Sequence, residues 1–223
     1  MPVSYDEKNK VFNIYTKNFS LVFGIFKDKV PILIHCGKRI KNTYDIDKML
    51  DYKLKRVVTF SARNKDLDEE VTLEAVSAIY PTYGNADLRI PALSIVHNDG
   101  TMCSNFYYKE HKITEGEAKP EGLPYVYSEE GDNVQTLTLK LYDEVGKLTL
   151  TLSYTAFYDY DVITQNVKLE NGGGKVKIDR IMSAAVDLPD KDFDFIHLYG
   201  HWARERQIQR APLINGGMTG GSK

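Results

Sequence analysis

The chain has 223 residues, 42% hydrophobic and 27% charged, with a formal net charge of -2. That length suits one large domain or two small ones, and all-β domains often reach it as a single unit. The near-balance of 29 basic and 31 acidic residues excludes a long-range field for nucleic acid or an acidic membrane surface.

The first twenty residues carry Asp6, Glu7, Lys8 and Lys10 and no apolar core. No secretory signal is expected from them, and a cytoplasmic location is the corresponding expectation. No apolar run approaches the ~20 residues of a membrane-spanning helix. Strands are expected at Val11–Tyr15, Phe19–Phe26 and Pro31–His35, where apolar and β-branched residues cluster between turn signals. Ile46–Lys55 reads as a short helix, with Asp45 as its cap and Ile46, Met49, Leu50 and Leu54 on one stripe. Ser61–Glu70 is charged and without period, and reads as a surface loop.

Further strands are expected at Leu93–Val96, Thr101–Tyr108 and Asp161–Leu169. Glu115–Pro124, rich in Gly and Pro, reads as a second loop. Period-two alternation follows: Leu137, Leu139 and Leu141; then Leu148, Leu150, Leu152 and Tyr154; then Val176, Ile178 and Arg180. One face of each segment is largely apolar, the mark of half-buried antiparallel strands. Tyr142–Gly146, Asn171–Gly174 and Asp187–Asp190 supply the turns, the second read as a hairpin. The expected fold is therefore all-β, a large antiparallel sandwich with one or two short helices.

Most chemistry-bearing patterns have a bland explanation. Cys36 and Cys103 lie in no CxxC pattern and are expected to be reduced, packed thiols. His35, His97, His111, His197 and His201 form no metal-ligand spacing, so no metal and no cofactor is expected. Asp159 and Asp161 would share a face of a regular strand, but Tyr158–Asp161 reads better as a turn between strands. Glu129, Glu130 and Asp132 around Gly131 read as a hairpin tip.

Two constellations stand out. Asp87 and Arg89 are two apart and would face the same way on an extended segment. With Tyr83 nearby they make either a polar hook for sugar hydroxyls or an internal ion pair that fixes the loop. Trp202, the only tryptophan, sits beside Arg204, Glu205 and Arg206. Trp and Arg are the types enriched at interface hot spots; the alternative is a core Trp with locally paired charges.

An ordered series of motifs resembles the N-terminal domain of glycoside hydrolase family 36, the melibiase-type α-galactosidases. The series runs from Ile32–Ile40 through Tyr80–Ala92, His111, Lys119–Pro124, Tyr158–Thr164 and Ser183–Pro189 to Gly200–Gln207. The resemblance implies a β-supersandwich that precedes a catalytic (β/α)8 barrel, with the chain ending at Lys223 before that barrel. It implies retaining hydrolysis of terminal α-linked galactose, as in melibiose and raffinose, by barrel carboxylates that this sequence lacks, so no catalytic residue is assigned. It further implies a homo-oligomeric parent, a supporting role for this domain, and a galactoside near Asp87 and Arg89. Trp202, Arg204, Glu205 and Arg206 become candidates for a domain or subunit interface. The Arg56–Glu70 loop departs from the proline-containing form expected in family tetramers. The rival reading is a free-standing carbohydrate-binding β-sandwich module. A self-contained hydrolase would need a carboxylate pair in a pocket.

Overall fold

The computed structural model describes residues 1–41, 48, 67, 73, 76–84, 87–188 and 191–213. Two compact units are present, Met1–Asp187 and Leu188–Lys223. The first contains β1 (Val3–Asp6), β2 (Val11–Tyr15), β3 (Phe19–Phe26), β4 (Val30–Lys38), β5 (Leu93–His97), β6 (Tyr107–Glu115), β7 (Val134–Asp143), β8 (Leu148–Phe157), β9 (Val162–Asn171) and β10 (Val176–Ile181). Strands β1 to β4 form one antiparallel sheet in sequence order, β6 to β9 form a second, and β10 pairs with β5.

The two four-stranded sheets share one core. Phe12, Ile14, Phe23 and Leu33 from the first meet Leu137, Leu139, Leu141, Leu148, Leu150 and Leu152 from the second. The leucines are those picked out by period two. Burying each contributes about 1.5–3 kcal/mol relative to exposure. Aromatic rings run through this core, Phe12 lying 5.2 Å from Phe23 and Phe23 5.8 Å from Tyr154. His111 packs 4.5 Å from Tyr5 and accepts from or donates to the Tyr108 hydroxyl at 2.7 Å. Burial pushes its pKa down, which favours the neutral ring.

The first sheet is covered on both faces. Val11, Val22, Ile32 and Ile34 form a second core with Leu67, Leu73 and Val76. That explains why β3 reads as a nearly continuous apolar run instead of an alternating one. It also corrects the reading of Ser61–Glu70 as surface, since Leu67 is buried; the rest of that loop lies outside the described residues. The expected helix Ile46–Lys55 lies outside them too, apart from Lys48. Among the described residues the helical element with both ends in view is a single 3-10 turn, Tyr158–Tyr160.

Three other expectations change. Thr101–Phe106 is not strand: β6 begins at Tyr107, because the preceding residues bond to the Tyr80–Ala92 segment instead, Ser104 N–H donating to the Tyr83 carbonyl. Asn171–Gly174 does turn the chain, with Asn171 Oδ1 accepting the Gly173 N–H at 2.9 Å. It is not a hairpin, since β10 joins β5 and not β9. Glu129–Asp132 is a turn inside the long β6–β7 connection, with Asp132 Oδ2 accepting the Glu129 N–H at 2.9 Å.

The turn reading of Tyr158–Asp161 holds, and Asp161 gains a role there. Its backbone is left-handed, φ 54°. Its carboxylate accepts the Thr16 hydroxyl at 2.7 Å, the Asn18 N–H at 2.9 Å and the Asn18 side-chain amide at 2.7 Å. This ties the β8–β9 turn to the β2–β3 turn. The Thr16 hydroxyl, then the Asn18 donors, hold the Asp161 pKa below its ordinary value. A depressed folded pKa means stability that is fully present above the unfolded value and is lost as pH falls through the folded one. Asp161→Asn tolerates the left-handed backbone but loses the charge. It should lower the Tm by a few degrees at neutral pH and flatten the fall of Tm in acid. A melting series from pH 7 to about 3 checks this; an unchanged acid slope would remove the latch.

Candidate functional site

The Tyr80–Ala92 segment is held at both ends and in the middle. At its start the Tyr80 hydroxyl donates to the Met182 carbonyl, and burial pushes that phenol up to about 12. Pro81 O accepts the Ala92 N–H at 2.8 Å, which brings the two ends together. Between them Gly84, at φ +147°, lies against Ser104 and Asn105; a Cβ there would sit 2.8 Å from the Ser104 carbonyl oxygen. Only glycine adopts that backbone at that distance without a shift.

Asp87 and Arg89 do face each other. Arg89 Nε donates to Asp87 Oδ1 at 3.0 Å and Nη2 to Oδ2 at 2.8 Å, a two-pronged pair. The Arg89 backbone N–H also donates to Asp87 Oδ1, at 3.1 Å. The guanidinium further donates to the carbonyls of Leu73 at 3.1 Å and Val76 at 2.9 Å, and to Asp187 Oδ2 at 3.2 Å. The Asp87 side chain is 3% exposed and that of Arg89 35%. Bonding to Asp87, set against partial burial, raises the Arg89 pKa, so the group stays charged at any working pH.

This is the internal ion pair that the spacing allowed. Asp87 is enclosed, and Arg89 gathers three separate stretches of chain. Among the described residues of the loop, Leu88 and Ile90 face solvent, 76% and 72% exposed. Asp187, the third partner, falls in an expected turn, and no spacing rule connects it to a residue 98 positions earlier.

The described part of the second unit contains a hairpin of β11 (Asp194–His201) and β12 (Arg204–Pro212). Trp202 and Ala203 form its tip. Trp202 is 91% exposed, which overturns the alternative of a core tryptophan. Glu205 caps the tip by accepting the Ala203 N–H at 3.0 Å. Arg210 pairs with Asp194, its Nε donating at 2.7 Å. Arg204 and Arg206 form no ion pair among the described residues. Ile196 and Leu198 stand across from Arg210 and Ile208, and the three aliphatic side chains are more than half exposed. Gly200 sits at a register shift, where a Cβ would meet the Arg204 carbonyl oxygen at 2.2 Å.

The other candidate groups stay apart. Asp159 and Asp161 both lie at the Tyr158–Asp161 turn, where Asp161 is spent on the latch. Cys36 is half-buried and Cys103 exposed, which corrects the expectation that both are packed; they form no disulfide.

The description "Glycosyl hydrolase family 36 N-terminal domain" matches residues 29–223. The chain belongs to this family. It is 34% identical over 217 residues to the alpha-galactosidase AgaA of Geobacillus stearothermophilus, covering 97% of this chain and 29% of that protein. It is 32% identical to the alpha-galactosidase Mel36A of Lactobacillus acidophilus, covering 96% and 29%. The crystal structure of the family 36 alpha-galactosidase AgaB from Geobacillus stearothermophilus superposes with a TM-score of 0.87 at 33% identity, over 97% of this chain and 29% of that one. The chain thus spans less than a third of the length of these relatives.

Proposed function

We propose that this chain is the non-catalytic N-terminal domain of an α-galactosidase that releases terminal α-linked galactose from oligosaccharides of the melibiose and raffinose type. The observation that carries this reading is the match over residues 29–223 to a family 36 N-terminal domain, in a chain that covers 29% of a whole alpha-galactosidase. One relative, a variant of AgaA, has been solved with raffinose bound.

In this reading the domain supports a catalytic barrel and helps to build a homo-oligomer. The hairpin carries the contact surface: Trp202 at its tip, with Arg204, Glu205 and Arg206 behind it. Asp87 and Arg89 stand near the galactoside as the frame of a loop that exposes Leu88 and Ile90. Retaining hydrolysis needs two carboxyl groups about 5–5.5 Å apart, and here those groups belong to the barrel.

The test joins this chain to the remaining part of the Geobacillus AgaA polypeptide. The chimera should cleave p-nitrophenyl α-galactoside and the isolated chain should not. Turnover by the isolated chain that survives repurification and is abolished by an Asp→Asn change would reject the non-catalytic reading. The hairpin makes a second prediction. Its exposed Trp202, Ile196, Leu198 and Ile208 should make the isolated chain self-associate. Trp202→Ser with Ile208→Ser should weaken that association on the order of tenfold or more, read by sedimentation velocity. A monomeric unmodified chain at high concentration would count against the hairpin as a contact surface.

A further inference from the structure

The outer face of the β6–β9 sheet is a different surface from the two above. Thr138, Ser153 and Asn166 are direct cross-strand partners on β7, β8 and β9. They form a row whose spacing is the strand separation, about 4.8 Å, comparable to the width of a pyranose ring. Thr151 lies one pleat further along β8, on the same face. All four are half-buried. Among the described residues their side-chain oxygens and amide make no hydrogen bond. Half-buried polar groups without partners are those that a ligand can satisfy at least desolvation cost.

In the neighbouring row the two central hydroxyls, Thr136 and Thr155, do the opposite and are both used. The Ala118 N–H donates to Thr155 Oγ1 at 3.1 Å, and Thr136 Oγ1 donates to the Gly116 carbonyl at 2.7 Å. The two hydroxyls are 2.8 Å apart. Because Thr136 spends its proton on Gly116, Thr155 is the donor between them. These bonds fasten the start of the β6–β7 connection over the sheet. Glu117, whose side chain is 7% exposed, stiffens it by accepting the Ser128 hydroxyl and pairing with Lys119 at 3.2 Å. The result is a groove of about 580 Å³, floored by the free row and roofed by Glu117–Glu121 and Leu123. That lies within the roughly 300–1,000 Å³ of small-ligand sites.

The chemistry of the lining selects the ligand class. Hydroxyls and an amide both donate and accept. Charge is balanced, with Glu117 and Glu121 against Lys119 and Lys168, and Lys168 is itself paired with Glu170 at 2.8 Å. A net anion or cation gains nothing here. Pro120 and the exposed Leu123 offer an apolar edge for the C–H face of a ring.

We propose that this groove is a binding site for a neutral oligosaccharide, with Thr138, Thr151, Ser153 and Asn166 as its hydrogen-bonding floor. The site lies wholly within this chain, shares no lining residue with Tyr80–Ala92, and does not depend on the α-galactosidase reading.

The experiment is a titration of the 15N-labelled 223-residue chain with raffinose, followed by amide chemical shifts. Shifts should concentrate at residues 114–123, 136–138, 151–153 and 166–168. Thr138→Val with Ser153→Ala removes two hydroxyls and should weaken binding by about tenfold or more. An oligogalacturonate of similar length should bind no better than raffinose. The proposal is overturned by an absence of shifts up to the solubility of the sugar, by shifts confined to the clamped loop or the hairpin, by full binding in the double variant, or by tighter binding of the anionic sugar. The shift map of the unmodified chain judges the site even if the double variant does not fold.

Discussion

Arg89→Ala should lower the stability of this domain by about 2–4 kcal/mol. The change leaves the Asp87 carboxylate, 3% exposed, without its cation. Breaking a buried charge pair by removing one partner costs about 3–5 kcal/mol. Arg89 is itself about a third exposed, so water can partly replace it, which brings the value down. The carbonyls of Leu73 and Val76 lose a donor as well. For a domain of this size the Tm should fall by about 5–12 °C. Arg89→Lys should recover only part of this, because a point charge cannot bond both Asp87 oxygens and two carbonyls at once. In the chimera, measured well below its Tm, kcat/KM should stay near normal if the pair only frames the loop. A loss of roughly tenfold to a hundredfold in kcat/KM with an unchanged Tm would make Arg89 a direct sugar ligand instead.

The sequence carried the sandwich and the order of its strands further than it carried the site. Val11–Tyr15 and Phe19–Phe26 were legible to the residue, because apolar runs there are bounded by turn residues. Leu137 to Leu152 were legible because one face of the second sheet looks outward and stays polar. β1 was missed: Val3–Asp6 is four residues long, too short for a period. β11 and β12 were missed for another reason. One face sets Phe195, His197 and Tyr199 against Ala211, Gln209 and Gln207, the other sets Ile196 and Leu198 against Arg210 and Ile208, so neither face reads as a plain apolar stripe opposite a polar one.

The clamp was half legible. Two-residue spacing put Asp87 and Arg89 on one side, as found. Spacing cannot reveal burial, and burial is what makes the pair a frame: it depends on Leu73, Val76 and Asp187 arriving from elsewhere in the chain. The groove was legible only as the polar half of an alternation. Which threonines are free and which hold the roof depends on where Gly116 and Ala118 land, and that is a property of the tertiary structure.

Gly84→Ala should be nearly as damaging as Arg89→Ala, through the backbone instead of charge. At φ +147° an L side chain is strained wherever it points, and the added Cβ would lie 2.8 Å from the Ser104 carbonyl oxygen and 2.4 Å from Asn105 Oδ1. Asn105 can swing away; the Ser104 carbonyl, which accepts the Thr82 hydroxyl at 3.0 Å, cannot move without breaking that bond. The expected cost is about 2–4 kcal/mol. Gly84 also accepts the Asp87 N–H at 3.0 Å, so displacing it drags Asp87 out of register with Arg89. The two substitutions therefore act on one element, and their effects should not add. In the double variant the loss should fall short of the sum of the single losses by about 1 kcal/mol or more, as for residues in one network. Urea unfolding of the four proteins, with equal m-values, measures this coupling directly. Additivity within about 0.3 kcal/mol would mean that the loop's anchor at Ser104 and its charge clamp are independent, and that Arg89 does not hold the loop as a single piece.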